Sequence, residues 1–207
     1  MRNISECTKV NGYFIGSCYD GRLIFDKLKQ KKIGEGITLM DESNTHKIWQ
    51  IIKQYDKKEL KSDSTCVGVG IDIYQETINK TFREYLVNFD YLIRVMENYG
   101  FVPLDDQDAK KMGVPSGIGN LKELFNLMEE EVIKNKKLKK DIKRSLDMSE
   151  NEKYISFLNK YFIFKKIRNV DAKSVKIEII EEEELETNKE GKVSSNKKQN
   201  KKIRLVE

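Results

Sequence analysis

The 207-residue chain has little of what staples or metallates a small fold: three cysteines, Cys7, Cys18 and Cys66, and one histidine, His46. Cysteines that are few, odd in number and widely spaced exclude a disulfide framework and offer no paired metal ligands; their expected role is as small buried hydrophobes in a reducing intracellular compartment, cytoplasm or nucleus. His46 follows a polar loop and reads as an ordinary surface or strand-edge residue. No apolar run approaches the ~20 residues needed to cross a bilayer, and the N-terminus has no signal-peptide core, so the expectation is a soluble protein with no membrane partner. Hydrophobic residues make up only 38% of the chain against 35% charged, which leaves part of it outside any packed core.

The length still suffices for one domain with a sizeable core. The poorly packing part is recognisable: glutamates fill 181–184, and 192–204 is lysine-rich with Ser, Asn and Gln between. Neither block buries enough apolar surface to offset ordering entropy of ~1 to 2 kcal/mol per residue. The expected division is a domain over 1–170 and a charged tail over 171–207, disordered from about 181. The net charge of +5 suits an RNA or nucleotide partner as well as mere solubility.

Periodicity predicts a buried strand over 12–17 and a helix over 22–31, with Leu23, Ile24 and Leu28 at helical spacing. The β-branched segment 47–55 reads as a strand. Residues 67–77 carry Val67, Val69, Ile71 and Ile73 on one face and should pair with it as an antiparallel hairpin. Residues 84–99 place Leu86, Phe89, Leu92, Ile93 and Met96 at helical steps, with Gly100 where a left-handed cap belongs. A strand over 101–104, an irregular loop over 105–119, helices over 120–137 and 150–159, and a last buried strand over 161–166 complete the reading.

Three blocks then carry a resemblance: Gly12-Tyr-Phe-Ile-Gly16 followed by Ser17, Glu84-Tyr-Leu-Val87, and Tyr161-Phe-Ile-Phe-Lys-Lys166. In this order they resemble the C-terminal half of mRNA cap guanine-N7 methyltransferases, especially those fused into capping enzymes of large DNA viruses. Ile71-Asp-Ile-Tyr-Gln-Glu76 and Ile155-Ser-Phe-Leu158 match in the same register, so the resemblance covers residues 3–168. It implies an α/β fold, the C-terminal half of a class I S-adenosylmethionine-dependent methyltransferase: a Rossmann-like parallel sheet ending in an antiparallel hairpin, joined here from about the fifth strand, with Met1-Arg-Asn-Ile4 inside a helix. The family's glycine-rich first turn, its acidic residue after the second strand and its His-Tyr-Phe-type segment have no counterpart. Gly34-Glu-Gly36 and Gly68-Val-Gly70 are weak substitutes, since neither precedes a helix. S-adenosylmethionine is thus implied as co-substrate but held mainly by an N-terminal half, and a viral factory or virion joins the implied locations.

Guanine N7 is already nucleophilic and a sulfonium methyl already activated, so the implied reaction needs no general base and can rest on alignment, worth roughly 7 to 11 kcal/mol in favourable cases. Glu84 is the implied guanine contact. A carboxylate accepts from guanine N1–H and the exocyclic amine together, an edge adenine lacks, and it faces the positive charge that grows on methylation. From spacing alone Glu84 reads rather as a first-turn glutamate favoured by the helix dipole; it is the resemblance that turns the reading toward guanine. Tyr161 is implied as a second contact, with core packing the rival reading. Tyr19 stands where cellular members have a cap-contacting proline. Arg22, Lys47 and Arg83 are candidates for the triphosphate or RNA backbone, or else solvated charges, and the lysine cluster over 134–144 reads as a helix's wet face. The implied partners are the capped RNA 5′ end and an N-terminal methyltransferase half or other capping subunit. The alternative is a non-catalytic cap- or RNA-binding module, or one that completes a partner, without a donor site of its own.

Overall fold

A computed structural model describes residues 1–175; the expectations for 181–184 and 192–204 lie outside the described residues. The chain runs through α1 (Arg2–Cys7), β1 (Tyr13–Tyr19), α2 (Gly21–Lys27), β2 (Gly36–Met40), β3 (Lys47–Lys53), β4 (Gly70–Gln75), β5 (Lys80–Tyr85), α3 (Phe89–Asn98), β6 (Phe101–Pro103), α4 (Asp106–Lys111), β7 (Ile118–Asn120), α5 (Leu121–Lys134), α6 (Lys139–Leu146), α7 (Glu150–Ser156) and β8 (Asn159–Lys166). These form an α/β arrangement of two antiparallel sheets.

In the first sheet β8 is central. It pairs along its whole length with β1, from Tyr13↔Lys165 to Tyr19↔Asn159, and on its other side with β6 and β7. Since β1 and β6 are each antiparallel to β8, they run parallel to one another across it. Alternation along β8 explains why it is buried on both faces. Phe162 and Phe164 meet Phe14, Phe89, Met96 and Phe101 under α3, whereas Ile163 meets Leu104 and Ala109 under α4. Each such side chain contributes about 1.5–3 kcal/mol of burial. The expected parallel sheet is therefore corrected in one respect: every ladder among the described residues is antiparallel, and the one parallel pairing is the isolated bridge Asp20↔Val87.

The second sheet is the meander β2-β3-β4-β5. Its inner face carries Trp49, Ile51, Ile71 and Ile73 against Ile24 and Phe25 of α2, Leu28 at its C-terminal cap, Leu158, and the half-buried Tyr154 and Ile155 of α7. The β3–β4 hairpin matches expectation, though Val67 precedes the strand and is 63% exposed.

Two further expectations are corrected. The helix assigned to 84–99 begins only at Phe89, because the side-chain oxygen of Asn88 accepts from the backbone N–H of Asp90 and Tyr91 and caps it there. Glu84 and Tyr85 lie on β5 instead. The loop assigned to 105–119 contains α4, capped by Asp105, and the start of β7. Gly100 does terminate α3 at φ +86°, and a Cβ there would overlap the Arg168 carbonyl, so a left-handed glycine is required on two counts.

The N-terminal helix is tied to the first sheet by buried polar contacts. Lys166, 4% exposed, donates from Nζ to the carbonyls of Ser5 (2.6 Å) and Thr8 (2.7 Å) at the end of α1, and Ser5 Oγ donates to the Tyr99 carbonyl. Beyond β8, Ala172 and Val175 pack into the Phe89–Met96 cluster. No helix among the described residues is long and apolar enough to cross a membrane.

Candidate functional site

The C-terminal end of β1 and the C-terminal end of β5 are drawn together by backbone contacts. Gly21 N–H donates to the Val87 carbonyl at 3.1 Å, and Asp20 bridges Val87. A Cβ on residue 21 would overlap that carbonyl, so glycine permits the approach. Asp20 caps α2 through the N–H groups of Arg22 and Leu23 and pairs with Lys160 Nζ at 3.1 Å, which brings in β8. The β5–α3 connection is fixed in turn by buried Asn88, whose Nδ2 donates to the carbonyls of Leu60 and Lys61. Arg22 closes the arrangement, with Nη2 on Asp90 Oδ2 (2.5 Å) and Ser62 Oγ (2.8 Å).

Cross-strand partners share a face of a sheet, and the register Ile71↔Glu84 and Ile73↔Phe82 therefore puts Glu84 on the inner, apolar face of the second sheet, at its open edge. Tyr19 stands beside it. Its hydroxyl accepts from Trp49 Nε1 at 3.1 Å. Burial pushes the Tyr19 hydroxyl above its ordinary pKa, helped by the Glu84 charge and opposed by hydrogen bonds from Trp49 and Gln75. Glu84 remains exposed on the strand edge, but partial desolvation by the apolar face beside it raises its carboxyl above its ordinary value. Cys18, next along β1, is pushed up to about 11 by burial, then by Asp20 and Glu84. A thiol so placed is protonated at neutral pH and is no nucleophile. The sheet edge thus presents a carboxylate acceptor beside the Tyr19 hydroxyl, which Trp49 and Gln75 hold in place, and it suits recognition of a planar group with adjacent N–H donors.

The other sequence candidates are placed differently. Tyr161 is opposite Ser17, two residues along the ladder from Tyr19, and is 5% exposed. Its hydroxyl is 3.4 Å from Ser116 Oγ and lies over Gly119, where a Cβ would come within 2.6 Å of it. Arg83 points to the outer face of its sheet and is paired with Asp72, which raises its pKa. Lys47 reaches Gln50 Oε1 at 2.9 Å and lies 4.2 Å from the Tyr74 ring centroid, away from Glu84. Arg22 alone of the three cations borders the β1–β5 junction. His46 sits in the β2–β3 turn organised by Asp41, whose side chain accepts from the backbone N–H of Thr45 and His46.

Sequence reasoning missed Trp49, Gln75 and Asn88 as members of the site. The Asn88-Phe89-Asp90 stretch carries a helix N-cap signature that would have moved the helix start; nothing in the local sequence marks Trp49 or Gln75. Among the described residues no group of His, Cys, Asp and Glu could hold a metal ion. Neither glycine pair fits a nucleoside-binding turn: Gly36 opens β2 and Gly70 opens β4, so no helix N-terminus follows either one.

No protein-family model matches the chain. The chain is similar to the "Probable mRNA-capping enzyme" of Acanthamoeba polyphaga mimivirus, at 29% identity over 110 residues, which is 52% of this chain and 9% of that protein. The relationship is thus to a capping enzyme, of whose length this chain spans a small part.

Proposed function

We propose that this chain supplies the guanine-recognising part of an mRNA cap guanine-N7 methyltransferase, within the reaction that transfers methyl from S-adenosylmethionine to N7 of the cap guanosine. The single observation that carries the reading is Glu84: a carboxylate raised by partial desolvation, on the apolar face of a sheet, beside the Tyr19 hydroxyl. The similarity to a capping enzyme supports it. The strand arrangement supports it as well, since β1 and β6 run parallel with β8 antiparallel between them, the kind of hairpin ending that the resemblance implies.

In this reading Glu84 accepts from guanine N1–H and the exocyclic amine, and Tyr19 bounds the base. As positive charge develops on the methylated purine, the partly desolvated carboxylate attracts it more strongly than it attracts the neutral ring. Arg22, at the rim, is the cation nearest to serve the phosphate bridge. Tyr161, held under β7 by Ser116 and Gly119, is assigned to packing. The described residues do not fit the methyl donor, because no glycine turn among them opens a helix. That same observation favours a second reading, a cap-binding module that relies on another polypeptide for the donor.

The test is titration of the chain with GpppG, followed through the fluorescence of Trp49, whose indole N–H is hydrogen-bonded to Tyr19. Glu84→Ala should weaken binding about tenfold or more, the cost of leaving two guanine donors unpaired. Unchanged affinity would overturn the assignment. Binding of GpppG without binding of S-adenosylmethionine selects the second reading.

A further inference from the structure

The segment 136–144 holds six cations and one acid, Asp141, an excess equal to the net +5 of the entire chain. On three other helices a lysine is matched by an acid one turn before it, Lys111 by Asp108, Lys134 by Glu131 and Lys153 by Glu150, and Lys27, Lys110 and Lys122, which have no ion pair among the described residues, stand apart on separate helices. Here Lys136, Lys137, Lys139, Lys140 and Arg144 are all exposed, and none forms an ion pair among the described residues. Leu138, Ile142 and Leu146, spaced four apart along the same stretch, are partly buried. That apolar stripe turns inward and leaves the cations on one outward face. An ordinary wet helix face mixes both signs; this segment sets six cations against the single acid Asp141. Nine residues at 1.5–2.0 Å rise extend about 12–15 Å, which is a track for an extended polyanion rather than a pocket for one phosphate group.

We infer that the basic face of 136–144 binds the phosphate backbone of single-stranded RNA downstream of the cap. The identification of the polyanion as RNA rests on the capping reading above; the cationic excess does not. Phosphate contacts of this kind position a transcript without reading its sequence. They also act additively with a guanine site elsewhere on the chain, by raising the effective concentration of the 5′ end.

The experiment measures binding of an uncapped, labelled single-stranded oligoribonucleotide to the full chain by fluorescence anisotropy across a salt series. The comparison is with the variant Lys136→Gln, Lys137→Gln, Lys139→Gln, Lys140→Gln, in which glutamine retains helix propensity and circular dichroism checks the fold. The expected result is a fall in the slope of log affinity against log salt of about 2–3, at about 0.7 per lost phosphate contact on a single strand, with affinity reduced roughly tenfold or more at low salt. GpppG affinity, which depends on Glu84, should be unchanged, so failure of the RNA track and failure of the cap reading are separately visible. An unaltered slope and affinity would overturn the inference, and so would a polyglutamate probe that binds as tightly and is lost in the same variant.

Discussion

Strands β8 and β5 meet opposite fates. β8 has neighbours on both sides and a buried run over 161–164, whereas β5 has one neighbour and no buried residue. β8 excludes water on both faces and gains from it, whereas β5 leaves Phe82 and Tyr85 exposed along with Glu84. Under the proposed reading that exposure keeps the Glu84 acceptor reachable. Glu84 is the point of contact between the two regimes, since its carboxylate projects from the exposed edge onto the face that deeper in the sheet is the apolar core.

Paired truncations give the largest expected contrast. Phe164→Ala, at 0% exposure, should cost about 3–5 kcal/mol in urea unfolding, and Phe82→Ala, at 41% exposure, within about 1 kcal/mol. Equal losses would break the division between a structural and a recognising strand. Next in size, Lys166→Ala removes the donor to the Ser5 and Thr8 carbonyls and should cost about 1–3 kcal/mol. Amide exchange should accelerate in α1 while β5 is unaffected; acceleration in β5 would show the two regions to be one cooperative unit.

The acid limb sharpens the same comparison through sign. Partial desolvation raises the Glu84 carboxyl from 4.5, so its contribution favours the fold below that value and is lost as pH rises through the folded pKa. Asp108 is lowered from 3.8 by hydrogen bonds from Lys111 and Lys165, so its contribution is present above 3.8 and is lost as pH falls through the folded pKa. Denaturation midpoints against pH should therefore flatten in opposite senses in Glu84→Gln and Asp108→Asn, and slopes of the same sign would contradict the placement of Glu84. The smallest effect concerns β1, which among the described residues pairs with β8 alone and exposes Ile15 to 60%. Such an edge invites pairing with another chain; sedimentation should show concentration-dependent association that Ile15→Lys relieves, and a monomer at all concentrations in both proteins would count against it.

Legibility in the sequence followed burial. Asn159–Lys166 and the β3–β4 hairpin were readable because their apolar residues are buried in a core, whereas β1, expected as a buried strand, is correct as a strand but has no buried residue: Phe14 and Cys18 are only partly covered, and Tyr13 and Ile15 are exposed. β5 was not readable, since Lys80–Tyr85 is exposed throughout and its residues follow cross-strand partners rather than an apolar rhythm. Its C-terminal residues run directly into Leu86 and Phe89, so the helical period was extended four residues too far past the Asn88 cap. α4 was missed for a similar reason: apart from Ala109, its stretch Asp106–Lys111 is polar, and only the Asp105 cap announces it. In the site, Glu84 and Tyr19 were found through resemblance and Trp49 and Gln75 were not, because strand register, which brings them beside Tyr19, is a long-range property.

The most direct test of the central claim is the affinity of this chain for GpppG against ApppA. The account predicts a preference for GpppG of at least about tenfold that disappears in Glu84→Gln. Equal affinity for the two dinucleotides in the unaltered chain would contradict a guanine-reading role for Glu84.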